Sequence, residues 1–239
     1  MSFSLSHGRQ LDPGRIGLDE DGLPPWQEGT IDLRAWFGPE AHDRPLELEI
    51  GSGKGTFLVQ QAPETPRINY VGLEYARSFW LYASDRCRRH GIENVRLVRT
   101  EACFFLRNYV SDGCFDQVHI YFPDPWPKKR HYKRRLVAEP FLRLLGRTVQ
   151  EGAGVRLVTD HAGYFEWMEH HAALVGDLYE RLDFAAYGSP PESPPGSPPG
   201  SPPGSVPGSP VTGELVGTNF ERKYRREGRL FHGLVLRRR

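Results

Sequence analysis

Cysteine and methionine are scarce in this chain of 239 residues, three and two respectively, and no apolar run approaches the ~18–20 residues of a membrane span. Cys87, Cys103 and Cys114 are odd in number and form no C-x-x-C pair, which excludes a disulfide framework and a cysteine-rich zinc site. The N-terminus Met1-Ser2-Phe3-Ser4 has neither the basic region nor the apolar segment of a secretory leader. These absences lead to the expectation of a reducing cytoplasm, no membrane and no required metal.

Net charge is nearly absent too, with 31 Lys+Arg against 30 Asp+Glu. The balance hides a segregation. Residues 12–49 hold ten acidic and three basic side chains, whereas 126–147 and 222–239 each hold eight basic and one acidic. Such blocks set strong local fields even when they cancel in the total, so a nucleic-acid partner stays open. Residues 188–210 hold ten of the 21 prolines, five glycines and six serines. That composition cannot fill a core and reads as a disordered, extended tether. The expected organisation is an acidic, partly flexible N-terminal flank over 1–43, a single domain made of 44–187 and 211–239, and the insert at 188–210.

Elsewhere short apolar runs alternate with helical patterns. Strands are expected at Leu46–Ile50, Tyr70–Leu73, Val95–Val98, Phe115–Phe122 and Val155–Thr159, and helices at Lys54–Ala62, Arg77–His90, Ala102–Tyr109 and Tyr132–Gln150. A helix over His161–Leu178, a weaker strand at Leu182–Tyr187, a short basic helix and a last strand at Gly233–Leu236 follow. Strands largely apolar on both faces predict an α/β fold, with a mostly parallel central sheet and helices on both sides. Ligands of such folds lie beyond the C-terminal ends of the strands.

The first strand runs into Glu49-Ile50-Gly51-Ser52-Gly53-Lys54-Gly55-Thr56. A phosphate loop anchored on Gly53-Lys54 needs a glycine five residues earlier and Ser or Thr directly after the lysine; Leu48 and Gly55 stand there. The dinucleotide fingerprint fails at Thr56. What remains, E-x-G-x-G-x-G, suits a cationic, hydroxyl-rich ligand approached closely by backbone at Gly51 and Gly53. Two further carboxylates, Glu74 and Glu101, stand at the next strand ends, Glu74 placed to accept from ribose hydroxyls. Together they point to a nucleoside ligand without phosphates, the profile of S-adenosyl-L-methionine.

The fourth strand leads to Tyr121-Phe122-Pro123-Asp124-Pro125-Trp126-Pro127-Lys128-Lys129-Arg130-His131-Tyr132-Lys133-Arg134-Arg135. The alternate prolines push Phe122, Asp124 and Trp126 out of helical geometry and hold Asp124 on a stiff loop. Six of the next eight residues, 128–135, are basic, enough to neutralise several phosphates. Trp126 reads as a packing residue rather than a base-stacking platform.

The run from Pro123 to His131 resembles the signature of the tRNA (guanine-N7-)-methyltransferase family, supported by Leu48 to Gly55, Gly72-Leu73-Glu74, Thr159-Asp160-His161 and Thr218-Asn219-Phe220-Glu221-Arg222-Lys223. The resemblance implies a Rossmann-like class I fold and methylation of a variable-loop guanosine (position 46) of tRNA by S-adenosyl-L-methionine. It implies that Glu49, Gly51, Gly53, Glu74, Glu101 and Asp124 contact the cofactor, and Lys128, Asp160, Thr218, Asn219, Phe220 and Glu221 the guanosine. Arg130, His131, Tyr132, Lys133, Arg134 and Arg135 would bind tRNA. Two departures stand out: Glu101 replaces the family's usual Asp, and the family lacks the proline tether.

Guanine N7 carries an in-plane lone pair, so in-line displacement needs no general base. Asp124 is the central catalytic candidate, holding purine or cofactor and balancing the forming cation. Asp160 and Glu221 would accept from guanine N1–H and N2–H₂. Two alternatives are a nucleotide kinase using Lys54 and a non-catalytic RNA-binding protein; the oligomeric state, monomer or homodimer, stays open.

Overall fold

The computed structural model describes residues 8–184 and 230–239. Their strands are β1 (Gly17–Leu18), β2 (Leu46–Ile50), β3 (Asn69–Glu74), β4 (Val95–Arg99), β5 (Phe115–Tyr121), β6 (Val149–Thr159), β7 (Tyr179–Asp183) and β8 (His232–Arg238). The helices are α1 (Thr56–Glu64), α2 (Arg77–Arg89), α3 (Ala102–Asn108), α4 (Glu139–Thr148) and α5 (Ala162–Ala173). The strands form one sheet in the order β1-β4-β3-β2-β5-β6-β8-β7, parallel except for β8, which runs antiparallel between β6 and β7. The α/β expectation holds in this sheet.

Period-two alternation in the central strands builds two cores. Leu46, Leu48, Ile50, Val71, Leu73, Val118 and Ile120 pack with Phe105, Leu142 and Tyr164 on one face. Tyr70, Leu97, Tyr121 and Val158 pack with Phe57, Leu58 and Trp80 on the other. That second face is less apolar than expected, because it also buries His119, whose Nε2 lies 2.7 Å from Glu47 and whose Nδ1 lies 2.7 Å from the Tyr121 hydroxyl. Burial holds this imidazole below its ordinary pKa. On the same face β3 needs Gly72: a Cβ there would sit 2.6 Å from Ser52 Oγ, 2.6 Å from a Leu97 methyl and 2.9 Å from a Leu58 methyl. Gly72→Ala is therefore expected to cost roughly 1–3 kcal/mol by overpacking, a Tm loss of about 2–12 °C in calorimetry.

Several expected boundaries move. Helix α1 starts at Thr56 rather than Lys54 because Gly55 takes the left-handed conformation, φ 65°. The single helix expected over Tyr132–Gln150 is two pieces: a tight 3₁₀ stretch over Lys129–Arg134, an extended link at Arg135 (φ −64°, ψ 125°), then α4 with Pro140 in its first turn. Proline is well suited to that position and ill suited to a helix interior. Strand β6 begins at Val149, six residues early, across a register shift between the Phe115↔Val149 and Gln117↔Gly154 pairs. Strand β7 begins three residues before the expected Leu182. The flank expected to be partly flexible is packed over its described part, 8–43. Its strand β1 pairs with β4, Leu33 is fully buried, and Arg34 bridges to Asp116 at 3.0 Å. The insert 188–210, the basic helix after it and Thr218, Asn219, Phe220 and Glu221 lie outside the described residues.

Candidate functional site

Strand order reverses at β2, which has β3 on one side and β5 on the other. Crevices at such switch points, beyond the carboxyl ends of parallel strands, are where open α/β sheets bind ligands. The register sets the neighbours: Ile50 pairs with both Leu73 and Ile120, so the glycine loop, the Glu74 turn and the Asp124 loop leave the sheet side by side. At about 4.8 Å per strand, the edge from β3 to β5 is about 10 Å wide, the scale of a nucleoside with a short appendage.

The glycine loop needs its glycines for conformation. Gly51, Gly53 and Gly55 all have positive φ, at 79°, 52° and 65°. That geometry is nearly free for glycine and strained for other residues. A Cβ on Gly55 would also meet the Ala83 methyl at 2.9 Å. Glu74 braces the loop: one carboxylate oxygen accepts from Gly53 N–H at 2.8 Å and the other from Ala76 N–H at 2.8 Å. Glu49, only 4% exposed, points into the same region with Oε2 lacking a hydrogen-bond partner. Burial, reinforced by the negative charge of Glu74, pushes the Glu49 carboxyl up to about 8. Glu49 at the end of β2 and Ser52 in the loop face one another, a Ser52 hydrogen bond opposing the rise, and Glu49 Oε2 is the buried acceptor left for a ligand.

The Asp124 loop is strained on both sides of its carboxylate. Phe122 and Trp126 have φ of 53° and 42°, and each precedes a proline. Non-glycine residues pay of order 1–3 kcal/mol for such conformations, which persist at functional sites where the surroundings over-determine them. Asp124 is exposed between them, next to the crevice. Asp160, half-buried, stands at the end of β6, one strand beyond β5.

Glu101 has a different posture from Glu49. It is exposed and caps α3, accepting from Cys103 N–H at 2.9 Å and Phe104 N–H at 2.7 Å. In the basic stretch, Lys128, Lys129, Arg130, Lys133 and Arg134 are exposed, while His131 and Tyr132 are half-buried. Trp126 packs rather than projects, with Arg134 over its ring at 5.0 Å and the His131 ring at 5.7 Å.

Arg135 is the correction. Assigned above to RNA, it is 5% exposed, stacked on Tyr132 at 3.7 Å and hydrogen-bonded to backbone carbonyls, so its guanidinium is turned inward. A basic run reads as uniformly solvated until the aromatic side chains of α5 come into view. Two residues of the edge escaped the sequence reading. Ser52, inside the glycine loop, faces Glu49, and Tyr75, 73% exposed directly after Glu74, offers a flat apolar face. An aromatic residue next to a strand-end carboxylate was the available signal for Tyr75.

Among the described residues no group of three or more His, Cys, Asp and Glu is placed to hold a metal, and no helix is long and apolar enough to cross a membrane. The three cysteines are free thiols.

Comparison with known proteins adds the family. A profile of the family described as "Putative methyltransferase" matches residues 43–194. The chain belongs to this methyltransferase family. Relatives of the chain include a protein of Thermus thermophilus, 44% identical over 151 residues, 63% of this chain and 47% of that protein. Another, from Streptococcus thermophilus, is 39% identical over 132 residues, 55% of this chain and 62% of its own. Both carry the name tRNA (guanine-N(7)-)-methyltransferase, and the matched region spans less than two thirds of either. A solved structure titled as an antibiotic-related methyltransferase superposes on 91% of this chain and all of its own, with a TM-score of 0.53 at 16% identity. The chain has the Rossmann-like fold of class I methyltransferases.

Proposed function

We propose that this methyltransferase transfers a methyl group from S-adenosyl-L-methionine to N7 of a variable-loop guanosine in tRNA. What carries the reading is one juxtaposition: an orphaned, buried Glu49 carboxyl on β2 beside the strained Asp124 loop on β5, with a basic stretch leading away from it. The names of the relatives supply the substrate class.

The residues present fit the donor. When bound, S-adenosyl-L-methionine supplies an electrophilic methyl group on a sulfonium. Glu49 and Ser52 offer acceptors to a cation, and Glu49 becomes charged as that cation satisfies it. Glu74, already held at 2.8 Å by two backbone N–H groups, keeps lone pairs for ribose hydroxyls. Glu101, held in the same way by two N–H groups of α3, likewise keeps lone pairs for an adenine edge. The carboxylates also oppose the kinase alternative, since they occupy the place where a polyphosphate would have to lie, with Lys54 exposed to solvent.

On the acceptor side, Asp124 orients the purine and balances the positive charge that moves onto it, while Asp160 accepts from the guanine N–H edge. No group needs to remove a proton from N7. Lys128 and the Thr218 to Glu221 segment complete the guanosine contacts in this reading, and Lys129 through Arg134 follow the tRNA backbone. No metal takes part, and the enzyme works in the cytoplasm.

Purified protein with isotopically methyl-labelled S-adenosyl-L-methionine and unmodified tRNA is expected to put label into the RNA without magnesium-dependent ATP hydrolysis; ATP hydrolysis without RNA labelling would favour the kinase. Lys133→Ala with Arg134→Ala is expected to weaken tRNA binding and reduce the slope of log K against log[salt] by up to about 2, since each phosphate contact contributes about 0.9 on duplex nucleic acid. An unchanged slope removes this pair from the interface.

A further inference from the structure

We propose that Arg135 is a positioning residue that joins the Asp124 loop to the Asp160 turn and holds them at working distance, rather than a contact for tRNA. The inference rests on the methyl-transfer reading above and goes beyond it in naming what fixes the geometry of the site.

The Asp124 loop cannot hold itself. Prolines at 123, 125 and 127 remove three backbone donors, and the left-handed conformations of Phe122 and Trp126 favour relaxation. Its root is tied by Phe122 N–H to Val158 O at 2.8 Å. Beyond Asp124, Arg135 Nε donates to Pro125 O at 2.8 Å, one residue from the carboxylate. The same guanidinium reaches Gly163 O at 3.4 Å, in the first turn of α5, two residues after the His161 that follows Asp160. One side chain thus ties the Asp124 loop to the first turn of α5, which begins two residues after Asp160.

The guanidinium is itself fixed. It lies 3.7 Å from the Tyr132 ring centroid, 5.0 Å from Tyr164 and 5.1 Å from Trp167. The two α5 rings are pinned in turn, the Tyr164 hydroxyl by Val137 N–H at 3.2 Å and the Trp167 indole N–H by Val137 O at 2.7 Å. Among the described residues no carboxylate pairs with Arg135. Three π faces and two carbonyls surround the charge instead, an arrangement suited to a planar guanidinium and not to an ammonium.

The test is Arg135→Lys in the full-length protein, read as methyl transfer, tRNA Kd with its salt slope, donor Kd and Tm. The expected result is a fall in kcat of about 100-fold, the scale of a misplacement of about 1 Å, with both Kd values and the salt slope unchanged. A raised tRNA Kd and a shallower slope at unchanged kcat would restore the phosphate role and overturn the proposal, as would no change in any quantity. If Arg135→Lys does not fold, Trp167→Leu decides: it removes a ring stacked on the guanidinium from α5 without touching the loop or the basic stretch. It is expected to lower kcat at unchanged tRNA Kd, and an unaltered kcat would overturn the proposal. Wild-type protein run alongside separates the two claims, because absence of methyl transfer there overturns the methyltransferase reading itself.

Discussion

Asp124→Ala is expected to lower the rate of methyl transfer into tRNA by about 100- to 1000-fold, the range for removing one preorganised electrostatic contact at a reacting centre. The tRNA Kd should stay within about twofold, because the phosphate-binding cations Lys129 to Arg134 are separate side chains. The argument is local. Asp124 is exposed at the switch point, held between two residues with left-handed backbone, and nothing in the described fold depends on its side chain for packing. Its removal should therefore change Tm little. Asp124→Asn divides its two roles: it keeps a hydrogen-bonding group in place and loses the charge that balances the cation forming on the purine. Single-turnover rates at saturating tRNA and donor measure the effect. Full activity in Asp124→Ala would remove Asp124 from the catalytic role.

Glu49→Gln is expected to strengthen the ligand-free fold while weakening donor binding. The sign follows from the raised pKa. The carboxyl has an ordinary value near 4.5 when unfolded and about 8 in the fold, so the folded state prefers the proton. Its contribution to stability is fully present below pH 4.5 and is lost as pH rises through 8. On the order of 4 kcal/mol is at stake across that window. Wild-type Tm should fall between pH 5 and 8.5, and Glu49→Gln should flatten that fall. Donor binding should move the opposite way, weaker by about 10- to 100-fold above pH 7, the value of a charge-assisted hydrogen bond. Below pH 8 the wild-type protein should release a proton on binding the donor, seen as a dependence of calorimetric enthalpy on buffer ionisation. Glu49→Gln should not. Identical Tm profiles for the two proteins would contradict the orphaned-carboxyl account.

Features confined to a few consecutive residues were legible in advance. The E-x-G-x-G-x-G spacing announced a sharp turn with close backbone approach at Gly51 and Gly53, although not the left-handed Gly55 that delays the start of α1. The alternating prolines announced a stiff loop around Asp124, although not that Phe122 and Trp126 would be left-handed. Features that depend on partners distant in sequence were not. Arg135 looked like its neighbours because Tyr164 and Trp167, which bury it, lie about thirty residues on. The early start of β6 was hidden because Gln150 to Gly154 has no apolar alternation, and the strand is anchored there only by the pairs Val149↔Phe115, Gly154↔Gln117 and Gly154↔Arg237. The two-residue β1 is too short to carry a pattern and is held by its ladder to β4. Pro140 did signal the start of α4, and the apolar run around it obscured that signal.

The central claim is that the β2–β5 crevice brings a sulfonium methyl group to N7 of guanine. It is tested most directly by incubating unmodified tRNA with the protein and labelled S-adenosyl-L-methionine, digesting the RNA and mapping the labelled nucleoside by mass spectrometry. The account predicts 7-methylguanosine in the variable loop, with its formation lost in Asp124→Ala. Label on another atom or another nucleoside, or none in RNA while the donor still binds, would contradict it.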